Sequence, residues 1–365
     1  MNPSEADRTM LAEILNQPEA WSRTIGLVQG RAGRLRDLFQ GIEEVLFTGC
    51  GSGLNAAEAI APSFQHFTGI RARAVPAAEL VFFADTVLVT GSRTLVVPIS
   101  RSGSTTETEM ARETAQRRSL PTLAITCHPD SPLARSSTEA LVLEAANERS
   151  VTTTQSLSSM VLCGQLLSGL VAGDQGYLEQ LGRLPRLGER IMGRCQELGQ
   201  GIGENADIRK FAFVGSGALR GLAREAQLKI KEMVLLPADA YPLLDYRHGP
   251  KSNVDERMLV TVLSADRTRL VEEEFLAEMK GLRGRLLLIC EKAAGGLTAE
   301  YVAEVDSGLP DFARDVLYLL PIHFLAYYKS LAEGQSPSTP KNLTYWVPTA
   351  GLAAQGSSRR GDSEG

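Results

Sequence analysis

The stretch LVVPISRSGSTTETEM, Leu95 to Met110, holds a buried strand, a polar turn and a helix start within sixteen residues. Leu95, Val96, Val97 and Ile99 form a short apolar run with β-branched weight, the pattern of a strand covered on both faces of a parallel sheet. Ser100, Arg101, Ser102, Ser104, Thr105 and Thr106 then gather hydroxyl and guanidinium groups around Gly103, followed by Glu107, Glu109 and a helical pattern. A strand that ends in hydroxyls and opens a helix turns free backbone N–H groups and the positive end of the helix dipole towards one small volume. That is an anion pocket, and phosphate fits it. One hydroxyl would serve as an N-cap; five within seven residues point to a ligand. The turn lacks the lysine of a Walker loop and the three-glycine spacing of a dinucleotide loop, which leaves a phosphorylated metabolite.

Working outward, the 365 residues suit two domains or one duplicated fold, and 43% hydrophobic with 22% charged residues describes a globular chain with a full core. A net charge of −5 without a long basic run argues against nucleic acid as a partner. No apolar run reaches the ~18 residues of a membrane span and MNPSEADRTM is no signal peptide, so a cytoplasmic protein without membrane contact is expected. Five cysteines without CxxC spacing and four histidines without an HxxxH pair indicate neither a disulfide framework nor a zinc site.

Upstream, helical segments run from Met10 to Leu38 with a break at Pro18, and Val45-Leu46-Phe47 is a strand ending in Thr48-Gly49-Cys50-Gly51-Ser52-Gly53. Short strands follow at Ala72 to Val75, Leu95 to Ile99, Thr122 to Thr126 and Ala140 to Leu143, separated mostly by helices, the mark of right-handed βαβ units. Ser150 to Ser156 is a second hydroxyl cluster at the start of an apolar helix, Leu157 to Val171, and a ligand shared with the first cluster is expected. After a linker at Gly173 to Gly176 and a long helix from Tyr177 to Ile202, the pattern returns. Phe211 to Gly217 repeats Val45 to Gly53, and Met258 to Asp266 repeats the serine strand, both about 165 positions on. The second copy has LSADRT where the first has ISRSGST, so the phosphate pocket belongs to the first half. The second half offers Glu225, Lys229 and Glu232 at i, i+4 and i+7 of a helix, hence on one face. It also offers His248 in the loop YPLLDYRHGPKS, an acid or base by its setting.

The pairs TGCGSG with ISRSGST, and REAQLKIKE with YRHGPKS, resemble the double-SIS (sugar isomerase) proteins over nearly the whole chain. These include the isomerase half of glucosamine-6-phosphate synthase and the AgaS-type ketose/aldose-phosphate isomerase/deaminases. The resemblance implies an α/β fold of two tandem SIS domains, each a flavodoxin-like, doubly wound parallel sheet sandwiched by helices. The expected organisation is an N-terminal helical segment (1–40), a first domain with the phosphate pocket (41–173), a linking helix (174–204), a second domain (205–335) and a tail (336–365). It implies that Ser100, Ser102 and Thr105 hold the sugar phosphate, with Arg101 in the slot where the synthases have a glutamine and counted among the substrate- or phosphate-binding residues, that Ser52 and Thr153 touch the sugar, and that Glu232 shuttles a proton with Glu225 and Lys229 beside it. His248 matches a ring-opening histidine that reaches the site from a neighbouring subunit. The chain departs from the synthases at Tyr345, where they place a lysine, and begins without a glutaminase domain; both argue against glutamine-dependent synthesis.

The expected function is therefore aldose–ketose isomerisation or deamination of a sugar or amino-sugar 6-phosphate by proton transfer between C1 and C2. It needs an anchored phosphate, an acid/base and one carboxylate, and no metal or organic cofactor. The alternatives are a deglycase for phosphorylated sugar–amine adducts and a non-catalytic phosphosugar-binding regulator. A homodimer with shared sites is expected, in part because the apolar helix Val316 to Tyr328 looks richer than one monomer face requires.

Overall fold

The computed structural model describes residues 4–293 and 298–346; the expected tail beyond 346 lies outside the described residues. Among the described residues ten strands form two five-stranded sheets: β1 (Glu44–Gly49), β2 (Arg71–Pro76), β3 (Thr94–Ile99), β4 (Leu123–Thr126) and β5 (Glu139–Val142), then β6 (Lys210–Val214), β7 (Ala238–Tyr241), β8 (Met258–Leu263), β9 (Arg285–Cys290) and β10 (Tyr301–Glu304). The orders are β2-β1-β3-β4-β5 and β7-β6-β8-β9-β10, with every pairing parallel. Both are the doubly wound order 2-1-3-4-5, so the second sheet repeats the first.

The strands are apolar on both faces because both faces are covered. In the first sheet Val45, Phe47, Leu95 and Val97 point into a core shared with the helices Ser52–Thr68 and Gln155–Ala172, while Leu46 and Val96 meet an outer layer with Leu80 and Ala111. In the second, Phe211, Phe213 and Leu259 join that same shared core, and Ala212, Val214 and Val260 face outwards to Phe275 of the helix Arg269–Gly281. The inner faces of the two sheets thus bury one continuous core.

Four expectations about helices are revised. The helix Leu319–Ala332 is buried from Leu319 to Tyr327 inside the chain, so its apolar surface is core and says nothing of a second subunit. The helix Gln155–Ala172 is long and apolar enough for a membrane span, contrary to the expectation from the sequence, but 89% of it is buried within the fold. The long helix expected from Tyr177 to Ile202 is two, Gln175–Gly182 and Leu184–Gly203, parted at Arg183 ahead of Pro185. The helix carrying Glu225 and Lys229 is α-helical only over Leu219–Lys229; Ile230–Val234 is a π turn, closed by Leu235 in the left-handed region at φ 60°. Glu232 therefore does not continue an α-helical line.

The Leu219–Lys229 helix lies against the Ser52–Thr68 helix at Gly221. A Cβ there would come within 2.4 Å of the Ala59 amide nitrogen and 2.5 Å of the Asn55 carbonyl, so glycine alone allows the two backbones this close. That contact brings the second half's carboxylates to the first half's glycine turn.

Candidate functional site

The turn after β1 is pressed onto the end of β3. A Cβ on Gly53 would stand 2.4 Å from the Ile99 carbonyl oxygen, so the glycines of TGCGSG place the start of the Ser52–Thr68 helix beside Ser100. Crevices at the carboxyl ends of strands, where the strand order reverses, are the usual ligand sites of such sheets. The reversal here lies between β1 and β3.

At the end of β3 three of the expected hydroxyls converge. Ser100 Oγ lies 3.0 Å from Thr105 Oγ1 and 3.4 Å from Ser102 Oγ, and the amides of Gly103 and Ser104 donate to the Ser100 and Ser102 hydroxyls, each at 3.2 Å. Thr105 is the N-cap of the helix Thr106–Arg117, yet its side chain makes no capping bond. The three hydroxyls, bonded to one another and to two loop amides, thus converge at a helix N-terminus, an arrangement suited to an anion. A cavity of about 250 Å³ opens beside them, lined by Ser102, Ser104, His128, Ser131, Tyr345 and Trp346.

Arg101 is placed elsewhere, which corrects the expectation that it binds phosphate. Its guanidinium donates to the Ser150 carbonyl at 2.8 Å and the Tyr345 carbonyl at 3.1 Å, lies 3.8 Å from the Tyr345 ring centroid, and stands 3.9 Å from Glu148. Being buried and bonded to the chain itself, it fastens the tail to the Ser150 turn. Tyr345, in the position where the resemblance puts a lysine, donates its hydroxyl to Asn147 Oδ1 and the Glu148 carbonyl, both at 3.0 Å, and lies 3.1 Å from His128 Nε2.

The second hydroxyl cluster is also corrected in part. Glu148 accepts from the amides of Thr154 (2.6 Å) and Gln155 (2.7 Å), from the Thr154 hydroxyl (2.6 Å) and from Ser156. This carboxylate occupies the start of the Gln155–Ala172 helix as a ligand anion would, and burial pushes its pKa up despite Arg101. Only Thr153 is turned towards the first site.

Across the cleft the expected residues meet. Thr153 Oγ1 donates to Ser52 Oγ (2.9 Å), Ser52 Oγ donates to Glu225 Oε1 (3.0 Å), and Lys229 Nζ donates to Thr153 Oγ1 (3.3 Å) and Glu232 Oε2 (2.7 Å). Lys229 Nζ also lies 3.3 Å from Glu225 Oε1. Asn55, which sequence reasoning missed, donates to Glu225 Oε2 at 2.8 Å; its one signal is a polar residue one turn after Ser52 among alanines. Glu225 and Lys229 are fully buried, whereas the Glu232 side chain is 21% exposed. Burial opposes the Lys229 charge, but the carboxylates of Glu232 and Glu225 outweigh it and hold the ammonium above its ordinary pKa. The arrangement is a sealed ion pair with one further carboxylate at the cleft, able to exchange a proton with a bound substrate.

His248 does not join this cluster. Its loop is pinned to the outer helix of the second sheet, where Arg247 meets Glu274 (2.8 Å) and Lys251 meets Glu278 (2.5 Å), and Tyr246 packs in the outer core. The Leu219–Lys229 helix packs in the shared core, against the opposite face of that sheet. The His248 ring is exposed and has no hydrogen-bond partner among the described residues. Among those residues no set of three His, Cys, Asp or Glu side chains gathers as a metal site.

Residues 38–168 and 206–301 match the family described as SIS domain. The isomerizing glutamine–fructose-6-phosphate aminotransferase of Pseudomonas putida is 32% identical over 357 residues, 92% of this chain and 57% of that protein, so the chain spans little more than half of such relatives. A Streptomyces coelicolor protein named "Putative D-galactosamine-6-phosphate deaminase AgaS" is 31% identical over 355 residues, 90% of each chain. Among solved structures, tagatose-6-phosphate ketose/aldose isomerase from Escherichia coli superposes with a TM-score of 0.83 at 25% identity, covering 96% of this chain and 99% of that one. Glucosamine-6-phosphate deaminase from Thermotoga maritima gives 0.71 at 27% identity, covering 89% and 99%.

Proposed function

Since the chain belongs to the SIS domain family, we propose that it is an aldose–ketose isomerase or deaminase of a sugar or amino-sugar 6-phosphate. The observation that carries this reading is the chain of contacts from Ser52 through Glu225 and Lys229 to the partly exposed Glu232, set at the same strand reversal as the three convergent hydroxyls.

In this reading Ser100, Ser102 and Thr105 hold the phosphate, and the sugar runs towards Ser52 and Thr153. Glu232 takes the proton from C2 of the open-chain aldose and returns it to C1 through an enediol. Lys229 keeps the carboxylate in place, and Glu225 keeps Lys229. With a 2-amino sugar the same transfer gives an imine at C2; water adds to it, and the resulting carbinolamine expels ammonia to leave the ketose. His248 opens the ring in the site of a second copy, which fits an exposed imidazole on a loop anchored by two ion pairs. Tyr345 has no amine with which to engage a sugar carbonyl, which weighs against the synthase reaction.

The test is a panel of glucose, galactose, glucosamine and galactosamine 6-phosphates with a phosphorylated fructosamine, scored for ketose, ammonia and released amine. Ketose or ammonia from at least one member is expected. Phosphosugar binding without turnover of any would favour the regulator, and turnover of the fructosamine alone the deglycase.

A further inference from the structure

Moving a carbonyl from C1 to C2 displaces two protons, one between the carbons and one between the oxygens they carry. Glu232 serves the first. The second needs a donor towards O1 and, beside it, an acceptor for the O2 hydroxyl. The hydrogen bonds across the cleft contain both. Lys229 Nζ donates to Thr153 Oγ1 (3.3 Å), Thr153 to Ser52 Oγ (2.9 Å) and Ser52 to Glu225 Oε1 (3.0 Å), while Lys229 Nζ and Glu225 Oε1 themselves lie 3.3 Å apart. The four groups close a ring. Its direction follows from its charges: an ammonium has only hydrogens to give and a carboxylate only lone pairs, so each hydroxyl between them donates away from Lys229.

Asn55 takes the other oxygen of Glu225 at 2.8 Å, which leaves Oε1 to the ring. Glu225 and Lys229 are fully buried, so water does not compete for a proton at either end, whereas Ser52 is half-buried at the cleft with Thr153 beside it. Their two oxygens are spaced much as neighbouring oxygens on a sugar are. At the second sheet's reversal, between β6 and β8, the donors end on one carboxylate instead. There Glu272, at the start of the helix Arg269–Gly281, accepts from the Ala265 amide (3.0 Å), the Thr268 hydroxyl (2.5 Å) and Ser264, in the place an anion would take.

We propose that Thr153 and Ser52 carry the second proton of the reaction. As Glu232 removes the proton from C2, Thr153 turns its hydroxyl from Ser52 to O1. The Thr153 O–H bond breaks, the O1–H bond forms, and Lys229 replaces the proton that Thr153 has lost. As Glu232 gives its proton to C1, the O2–H bond breaks in favour of Ser52, whose own proton passes to Glu225. Lys229 is then neutral and Glu225 protonated, and one transfer across their 3.3 Å contact restores both. With a 2-amino sugar the nitrogen stands in for O2. The inference rests on the reaction proposed above and gives a chemical task to two hydroxyls that would otherwise only touch the sugar.

The test uses a phosphosugar that the parent converts, in heavy water, and compares the product formed with the deuterium that enters C2 of the recovered aldose. Ser52→Ala removes the acceptor for the O2 proton, so the enediol forms and falls back. Net conversion should drop at least about tenfold more than C2 exchange. Thr153→Val removes the donor to O1, so exchange and conversion should drop together, at least about tenfold in kcat with KM within about threefold of the parent. Binding of glucitol 6-phosphate close to the parent level in both variants would show that the fold is intact. Ser52→Ala lowering exchange and conversion in equal proportion, or a rise in KM alone in either variant, would overturn the relay and leave the reaction standing. A parent that converts no member of the panel would remove the reaction and the relay with it.

Discussion

Glu232 pairs with Lys229 at 2.7 Å and still keeps a fifth of its side chain open, whereas Glu225 is closed in by Ser52, Asn55 and Lys229. The two carboxylates should therefore fail in different ways. Glu232→Gln keeps volume and hydrogen-bonding shape but accepts no proton, so kcat should fall about 10²–10⁴-fold while phosphosugar binding survives. Glu225→Gln should lose less. Solvent deuterium incorporation at C2 separates them, and parent-rate exchange in Glu232→Gln would move the base to Glu225. His323 gives a second prediction at this scale. It is fully buried with neither ring nitrogen bonded, and burial together with Lys229 lowers its pKa to about 3. Below the ordinary histidine pKa the unfolded chain takes up a proton that the folded chain refuses, so this residue costs stability as pH falls from about 6.5 towards 3. Relative to the parent, His323→Gln should gain about 1.4 kcal/mol per pH unit between about pH 6 and pH 4 in urea titrations. The raised carboxyls of Glu148, Glu272 and Asp315 act in both proteins and cancel in the difference. A constant difference across that range would mean that His323 charges freely in the fold.

At the scale of elements, what sequence reasoning recovered and missed divides by range. Strands such as Val45 to Phe47 and the glycine turns were readable because their signals are local: β-branched runs, small residues and a spacing that repeats. The second hydroxyl cluster was misread because the carboxylate that uses it, Glu148, lies six residues before Thr154 and meets it only once the turn has folded. Arg101 was misread for the same reason, since its partners Ser150 and Tyr345 are 49 and 244 residues away. The π turn left no mark in IKEMV, whose composition suits an α-helix as well. Glu148 is the element-scale test. Glu148→Ala removes the acceptor for four donors at one helix start and leaves Arg101 buried without its carboxylate, so a loss of about 3–5 kcal/mol is expected by urea unfolding. An unchanged midpoint would show that the hydroxyls suffice to begin that helix.

At the scale of the molecule, the two halves contribute unlike parts to one cleft: the first the hydroxyls and Asn55, the second the carboxylates and lysine. The second half also holds His248 on the far face of its own sheet, away from Lys229. If that imidazole serves a second copy, His248→Asn and Glu232→Gln each inactivate a site by a different route. Refolding them together should then restore about a quarter of the parent activity, because about half of the dimers are mixed and each mixed dimer rebuilds one of two sites. No recovery above the separate variants would place ring opening within a single chain.

Glu272 has one more consequence, and it concerns counting. A chain that has duplicated its fold would ordinarily be expected to take two equivalents of the ligand its fold was built for. Here the second helix start is already filled by a carboxylate of the chain itself, held there by three donors, against which a free dianion competes poorly. Titration with a phosphosugar should therefore reach its end point at one equivalent per chain. Replacing Glu272 with alanine should leave that number at one, because uncovering the amide and hydroxyls does not restore the serines that LSADRT lacks.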